Sequence, residues 1–144
     1  MIIKTENIQQ AIKEIRKSND NKQIVVQAQD DNFNRKILEY GKFQVLLSPE
    51  KGERKNKLRQ IDSGLNHVLA KIAKKNNIAI GIDFKEIKKL PKKEKAQRLA
   101  KIIQNIKICR KTKTKLALQN RKENSLLILT LGASTQQIKE AIDF

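Results

Sequence analysis

The feature that most constrains this chain is an alternation. Short apolar runs are separated by stretches whose apolar residues recur at helical spacing. "MIIKT" is an apolar run, and in the "NIQQAIKEIRK" that follows, Ile8, Ala11, Ile12 and Ile15 share one helical face. "QIVVQAQ" reads as a second strand, and "DDNFNRKILEYG" as a short helix opened by acids and closed by Gly41. "FQVLLS" is a third strand, stopped by Pro49. A polar loop over 50–60 leads to a helix over 64–76, then to a fourth strand, "NIAIGIDF". Pro91 sits near the start of a long helix over 92–109, "KLALQN" is a fifth strand, and Ser134 or Thr135 caps a final helix, "QQIKEAI". The run "SLLILTLG" suits either element. Repeated strand–helix alternation predicts an α/β fold with a mostly parallel sheet. The 144 residues, 38% of them hydrophobic, fit a single domain with one core, residues 1–144.

Two helices show a face. Over 92–109, Ala96, Leu99, Ala100, Ile103 and Ile106 form an apolar stripe, which places Arg98, Lys101 and Asn105 outward. Over 64–76 the stripe is Leu65, Val68, Leu69, Ile72 and Ala73, which puts His67, Lys71 and Lys74 on an exposed basic ridge.

Charge is the largest compositional signal. The formal net charge is +17, and the segment from Lys85 to Lys122 carries +13 of it, with Glu86 and Glu94 its only acids. "KGERKNKLR", residues 51 to 59, is a second basic cluster. Charge concentrated in this way points to a polyanion partner. A proteome biased toward Lys is the plainer explanation, but such a bias does not by itself deplete acids from one segment. Aromatics are only 3% of the chain and are scattered, so no stacking platform for single strands is visible.

Catalytic readings fare poorly. One histidine cannot anchor a metal hydrolase site, so no metal ligands are assigned. Asp62, Ser63 and His67 could be drawn as a triad, but an Asp or Ser at a helix start is far more often a cap. No glycine-rich nucleotide motif is present, so no protein-bound cofactor is expected. The one cysteine, Cys109, reads as a packed residue in a reduced compartment. No window has the apolar length of a membrane span, and "MIIK" is too short for a signal peptide. A soluble cytoplasmic protein without a membrane partner is expected.

The stretch "QIDSGLNHVLAKIAKKNNIAIGIDF", residues 60–84, resembles the signature region of ribonuclease P protein component 3, a family shared by archaea and eukaryotes. Asp62, Gly64, Asn66, His67, Val68, Leu69 and Ala70 match its Asp-Ser/Pro-Gly-x-Asn/Asp-His-Val-Leu-Ala run, and Asn77, Ile78, Ala79 and Ile80 match its strand entry. Ser48-Pro49 resembles the family's Ser-Pro strand end, and "LTLGASTQQIKEAI" its closing helix. The likeness runs from about residue 24 to the end, which implies a chain shortened at its N-terminus. Where the family has Arg-Pro this chain has Lys85-Glu86, and Ser125 and Leu127 stand near the positions of its Pro and Asp. Only Lys85 and Arg121 carry over there.

The resemblance implies an incomplete TIM-like (β/α) barrel related to the polymerase and histidinol phosphatase superfamily, with helix rather than strand over "SLLILTL". It implies a non-catalytic subunit that supports the RNA enzyme removing 5′ leaders from precursor tRNA. Ribonuclease P RNA would be a partner, Mg²⁺ would sit in the RNA active site, and protein component 2 would be the protein partner. Two other readings stay open: a phosphoesterase of the parent superfamily, and a general RNA chaperone. The residues expected at RNA are Lys51, Arg54, Lys55, Lys57, Arg59, His67, Lys71, Lys74, Lys85, Arg98, Lys101, Arg110 and Arg121. Asp62, Ser63, Gly64 and Asn66 form the structural signature, in which Asp62 and Ser63 are expected to set the helix start and fix the preceding loop. Five strands predict an open sheet, with "MIIKT" or "QIVVQAQ" near one edge and "KLALQN" near the other. Component 2 or a second copy of the chain would then cover those edges.

Overall fold

The computed structural model describes residues 1–18 and 21–144. Its elements are β1 (Ile2–Ile3), α1 (Ile8–Lys17), β2 (Val25–Gln27), α2 (Asp31–Tyr40), β3 (Val45–Leu47), α3 (His67–Lys75), β4 (Ala79–Ile82), α4 (Phe84–Lys88), α5 (Lys92–Thr112), β5 (Leu116–Leu118), α6 (Arg121–Thr130), α7 (Thr135–Glu140) and β6 (Ile142–Asp143). Side chains from the flanking loops start the helices. Asn7 accepts from Gln9 N and Gln10 N, Asp30 from Phe33 N, and Ser134 forms a reciprocal capping box with Gln137. The run 125–131 is helical through Thr130, as the resemblance implied.

All neighbouring strands are parallel, and their order in the sheet is their order along the chain. A sheet wound in one direction keeps its helices on one face and curls around the other, which is the construction of a barrel. Six strands give a curled half-barrel. Alternate residues feed two apolar layers. Val26, Leu46, Ile80 and Leu116 face the helices and pack with Ile37, Leu69, Ile102 and Ile128. Val25, Val45, Leu47, Ala79 and Ala117 face inward, with Ile142 and Phe144 packed against them.

Two expectations about the sheet are corrected. "KLALQN" is not an edge, because β6 pairs with β5, so the edges are β1 and β6. The sequence reading ended its last helix at Ile142 and gave Asp143 no element, since a two-residue strand shows no periodicity. The sheet is also less open than five strands implied. The Gln23 side chain, just before β2, donates to Asp143 O of β6 at 2.8 Å, and the five inward residues are buried. The inner layer is tightly packed where β3 and β4 meet. At Gly81 a Cβ would lie 2.7 Å from Val45 Cγ1. Gly81→Val is therefore expected to overpack the inner layer and destabilise the fold by about 1–3 kcal/mol, measured by urea unfolding.

Candidate nucleic-acid interface

The β3–α3 loop, residues 48–66, is pinned from several sides. Arg54 is the main pin. Its Nε donates to Pro49 O at 3.0 Å and its Nη2 to Gln29 O at 3.0 Å, while Nη1 pairs with Asp31 at 2.6 Å and Asp62 at 3.3 Å. Its side chain is only 9% exposed. From α5, Lys101 Nζ donates to Arg54 O, Gln104 Nε2 to Ile61 O and Ser63 Oγ, and Asn105 Nδ2 to Ser63 O. Gly64 has φ +73°, and a Cβ there would meet Pro49 O at 1.8 Å, so only glycine fits this crossing. The signature Asp-Ser-Gly-x-Asn is thus a device for folding this loop against α5.

Within it the roles differ from the capping reading. The cap of α3 is Asn66, whose Oδ1 accepts from Leu69 N at 2.9 Å. Asp62 accepts from Gly64 N instead, and buried Ser63 donates to Leu65 O. His67 is exposed on the first turn of α3, and no hydrogen bond links it to Ser63 among the described residues. The triad does not form.

Three residues expected at RNA face inward. Arg98 donates to Glu50 Oε1 at 3.0 Å and to Glu86 Oε1 at 3.3 Å, and its side chain is 13% exposed. Arg54 and Lys101 hold the loop. The α5 stripe is rotated from the expected one. Ile102, Asn105, Ile106 and Cys109 are buried, while Ile103 is 45% exposed. On α3, Val68 is exposed and Ala70 takes its place in the core. Burial raises the Glu50 carboxyl above its ordinary range even though Arg98 opposes the shift. Partial burial pushes Glu86 the same way, but hydrogen bonding and charge from Lys51 and Arg98 outweigh it and hold Glu86 low. Burial pushes the Cys109 thiol up to about 12, which fits a packed, unreactive residue.

The other expected residues lie outside. Lys55, Lys57, Arg59, His67, Lys71, Lys74, Lys85 and Arg110 are exposed. Lys51 is exposed but paired with Glu86 at 3.1 Å, and half-buried Arg121 donates to Lys139 O at 3.0 Å. Helix α3 packs on α5, and the outer surface of the pair carries Lys71, Lys74, Lys75, Lys107, Arg110 and Lys111. Helix α3 contains no acid, and α5 contains none after Glu94. Among the described residues, none of these six cations is ion-paired. Two clefts border this surface. One, between α3 and α5, is lined by His67, Lys107 and Lys111. The other, toward α7, is lined by Lys74, Arg110, Lys113 and Lys115 together with one acid, Glu140. Lys107 and Lys111 were missed in the sequence. Their spacing of four, on the face opposite Cys109 and Ile102, was the available signal.

No known family profile matches the chain. Among curated proteins, one from Methanocaldococcus jannaschii named ribonuclease P protein component 3 is 28% identical over 127 residues, 88% of this chain. Proteins of the same name from two strains of Methanococcus maripaludis are 27% and 28% identical over 119 residues, 82% of this chain. The chain is related to ribonuclease P protein component 3. It spans about half the length of the curated relatives it matches, 48% to 52%. A chain from a cryo-EM structure of archaeal ribonuclease P with mature tRNA matches with a TM-score of 0.77 at 24% identity, covering 96% of this chain and 62% of that one. That match establishes the half-barrel fold. No helix among the described residues is long and apolar enough to cross a membrane.

Proposed function

We propose that this half-barrel is an RNA-binding protein subunit of ribonuclease P, which supports the catalytic RNA in removing 5′ leaders from precursor tRNA in the cytoplasm. The observation that carries this is the outer α3–α5 surface, where six cations are unpaired among the described residues and α5 holds no acid after Glu94. Its kinship with component 3 supports the same reading. Cations fixed on a folded surface replace counterions along an RNA backbone, which strengthens binding and lowers the metal ion requirement of the RNA. The RNA holds the Mg²⁺ and performs the chemistry, and component 2 is the protein partner.

Reconstitution tests the proposal. The chain alone is expected to leave precursor tRNA intact. Added with component 2 to the cognate ribonuclease P RNA, it should raise 5′-leader removal most strongly at limiting Mg²⁺. Cleavage by the purified chain, or an Mg²⁺ dependence unmoved by its addition, would overturn the reading.

A further inference from the structure

Where the turn at residues 57–60 meets the first turn of α3 and the middle of α5 there is a cleft of ≈ 320 Å³. Its floor is apolar, made by Leu65 and Ile108, which are 5% and 9% exposed. Lys107 and Lys111 stand along one side, four residues apart on α5. Gln60, Asn66, His67 and Gln104 line the rest of it, and no acid does. Asp31 and Asp62 line the adjoining cleft and are held by Arg54.

We propose that this cleft is a subsite for one unpaired nucleotide of RNA. The inference rests on the RNA-binding reading above and names what that surface recognises. A small apolar floor beside an exposed imidazole suits the face of a base, and histidine is among the side chains on which splayed bases stack. Gln60 supplies an amide with both a donor and an acceptor, which a base edge needs for pairing. Its backbone is already fixed, because Lys57 N donates to Gln60 O at 2.9 Å and Gln60 N to Lys57 O at 3.2 Å. Its side chain makes no hydrogen bond among the described residues. Asn66 uses its Oδ1 to cap α3, which leaves its NH₂ as a second donor at the cleft. Lys107 and Lys111 then take the flanking phosphates as point charges. In a duplex the faces of the bases are covered by stacking, so a floor that takes a base face selects an unpaired nucleotide in a single strand, a loop or a bulge.

The test uses the full chain and fluorescence anisotropy with labelled single-stranded RNA homopolymers and a hairpin of equal phosphate count. Single strands are expected to bind more tightly than the hairpin, with one homopolymer preferred. Gln60→Ala, an exposed position, should weaken the preferred homopolymer about three- to tenfold, the worth of roughly one hydrogen bond, and level the preference without changing the salt slope. Lys107→Ala with Lys111→Ala should lower that slope by about 1.4 while keeping the rank order. A hairpin bound as tightly as single strands, or a Gln60→Ala variant with its preference intact, would refute the nucleotide site while leaving RNA binding standing. If no RNA is bound even at low salt, both readings fall together.

Discussion

Replacing Arg98 with alanine is expected to destabilise the fold by about 3–5 kcal/mol, the cost of leaving a buried charge without its partner. Glu50 is 1% exposed, and Arg98 is its ion-pair partner. The same guanidinium joins Glu86, which Lys51 holds from the other side, so one arginine ties the β3–α3 loop to α4 and α5. The pH dependence should carry the same mark. Burial raises the Glu50 pKa above 4.5, so its ionisation removes stability as pH rises from that value. Without Arg98 this loss should be larger and extend to higher pH. Glu86 works in the other direction. Its pKa is lowered below 4.5, so its contribution is present above that value and is lost as pH falls. Adding Glu50→Gln to the Arg98→Ala variant should recover much of the stability and flatten its decline with pH. Urea unfolding of the parent, the Arg98→Ala and Glu50→Gln single variants and the double variant between mildly acidic and neutral pH measures this, and equal losses with and without Glu50 would exclude the charge pair as the cause.

The same arginine shows why the sequence was legible in its fold and less so in its faces. Strand–helix alternation needs only local periodicity, and β2 to β5 carry enough apolar residues to display it. Two residues, Ile142 and Asp143, do not. On α5 the expected stripe chose Ile103 over Ile102 because it counted hydrophobicity alone. The inward face of that helix also holds Arg98 and Asn105, polar groups whose partners, Glu50 and the Ser63 carbonyl, lie more than 40 residues earlier in the chain. No window along one helix contains that information. Arg54 misled for the same reason: it sits in a basic cluster, but its acids come from α2 and from the far end of its own loop. The exposed ridge on α3 was readable because His67, Lys71 and Lys74 need no distant partner. The cap was read three or four residues too early, at Asp62 and Ser63 instead of Asn66, because all three are good capping residues and only the path of the loop chooses among them.

With Arg98 and Lys101 in the interior of the α5 contact, the proposed function requires the outer surface to supply the energy of RNA binding. Removing Lys71, Lys107 and Lys111 together, each to alanine, is therefore expected to give the largest loss of RNA affinity. Each cation that neutralises a phosphate contributes ~0.7 to 0.9 to the slope of log affinity against log salt. At roughly 0.1 M salt that is about five- to eightfold per contact, or about two to three orders of magnitude for three. The salt slope itself should fall by about two to three units. All three side chains are exposed and unpaired among the described residues, so the melting temperature should stay near that of the parent, or rise as like charges are removed. The control is Lys4→Ala with Lys13→Ala and Lys36→Ala, which lowers the net charge equally at exposed positions outside α3 and α5. If net charge alone draws RNA to the protein, the two triple variants will lose affinity alike. A built interface predicts that only the first will lose it steeply, and that in reconstituted ribonuclease P the same variant will shift the Mg²⁺ requirement for precursor cleavage upward.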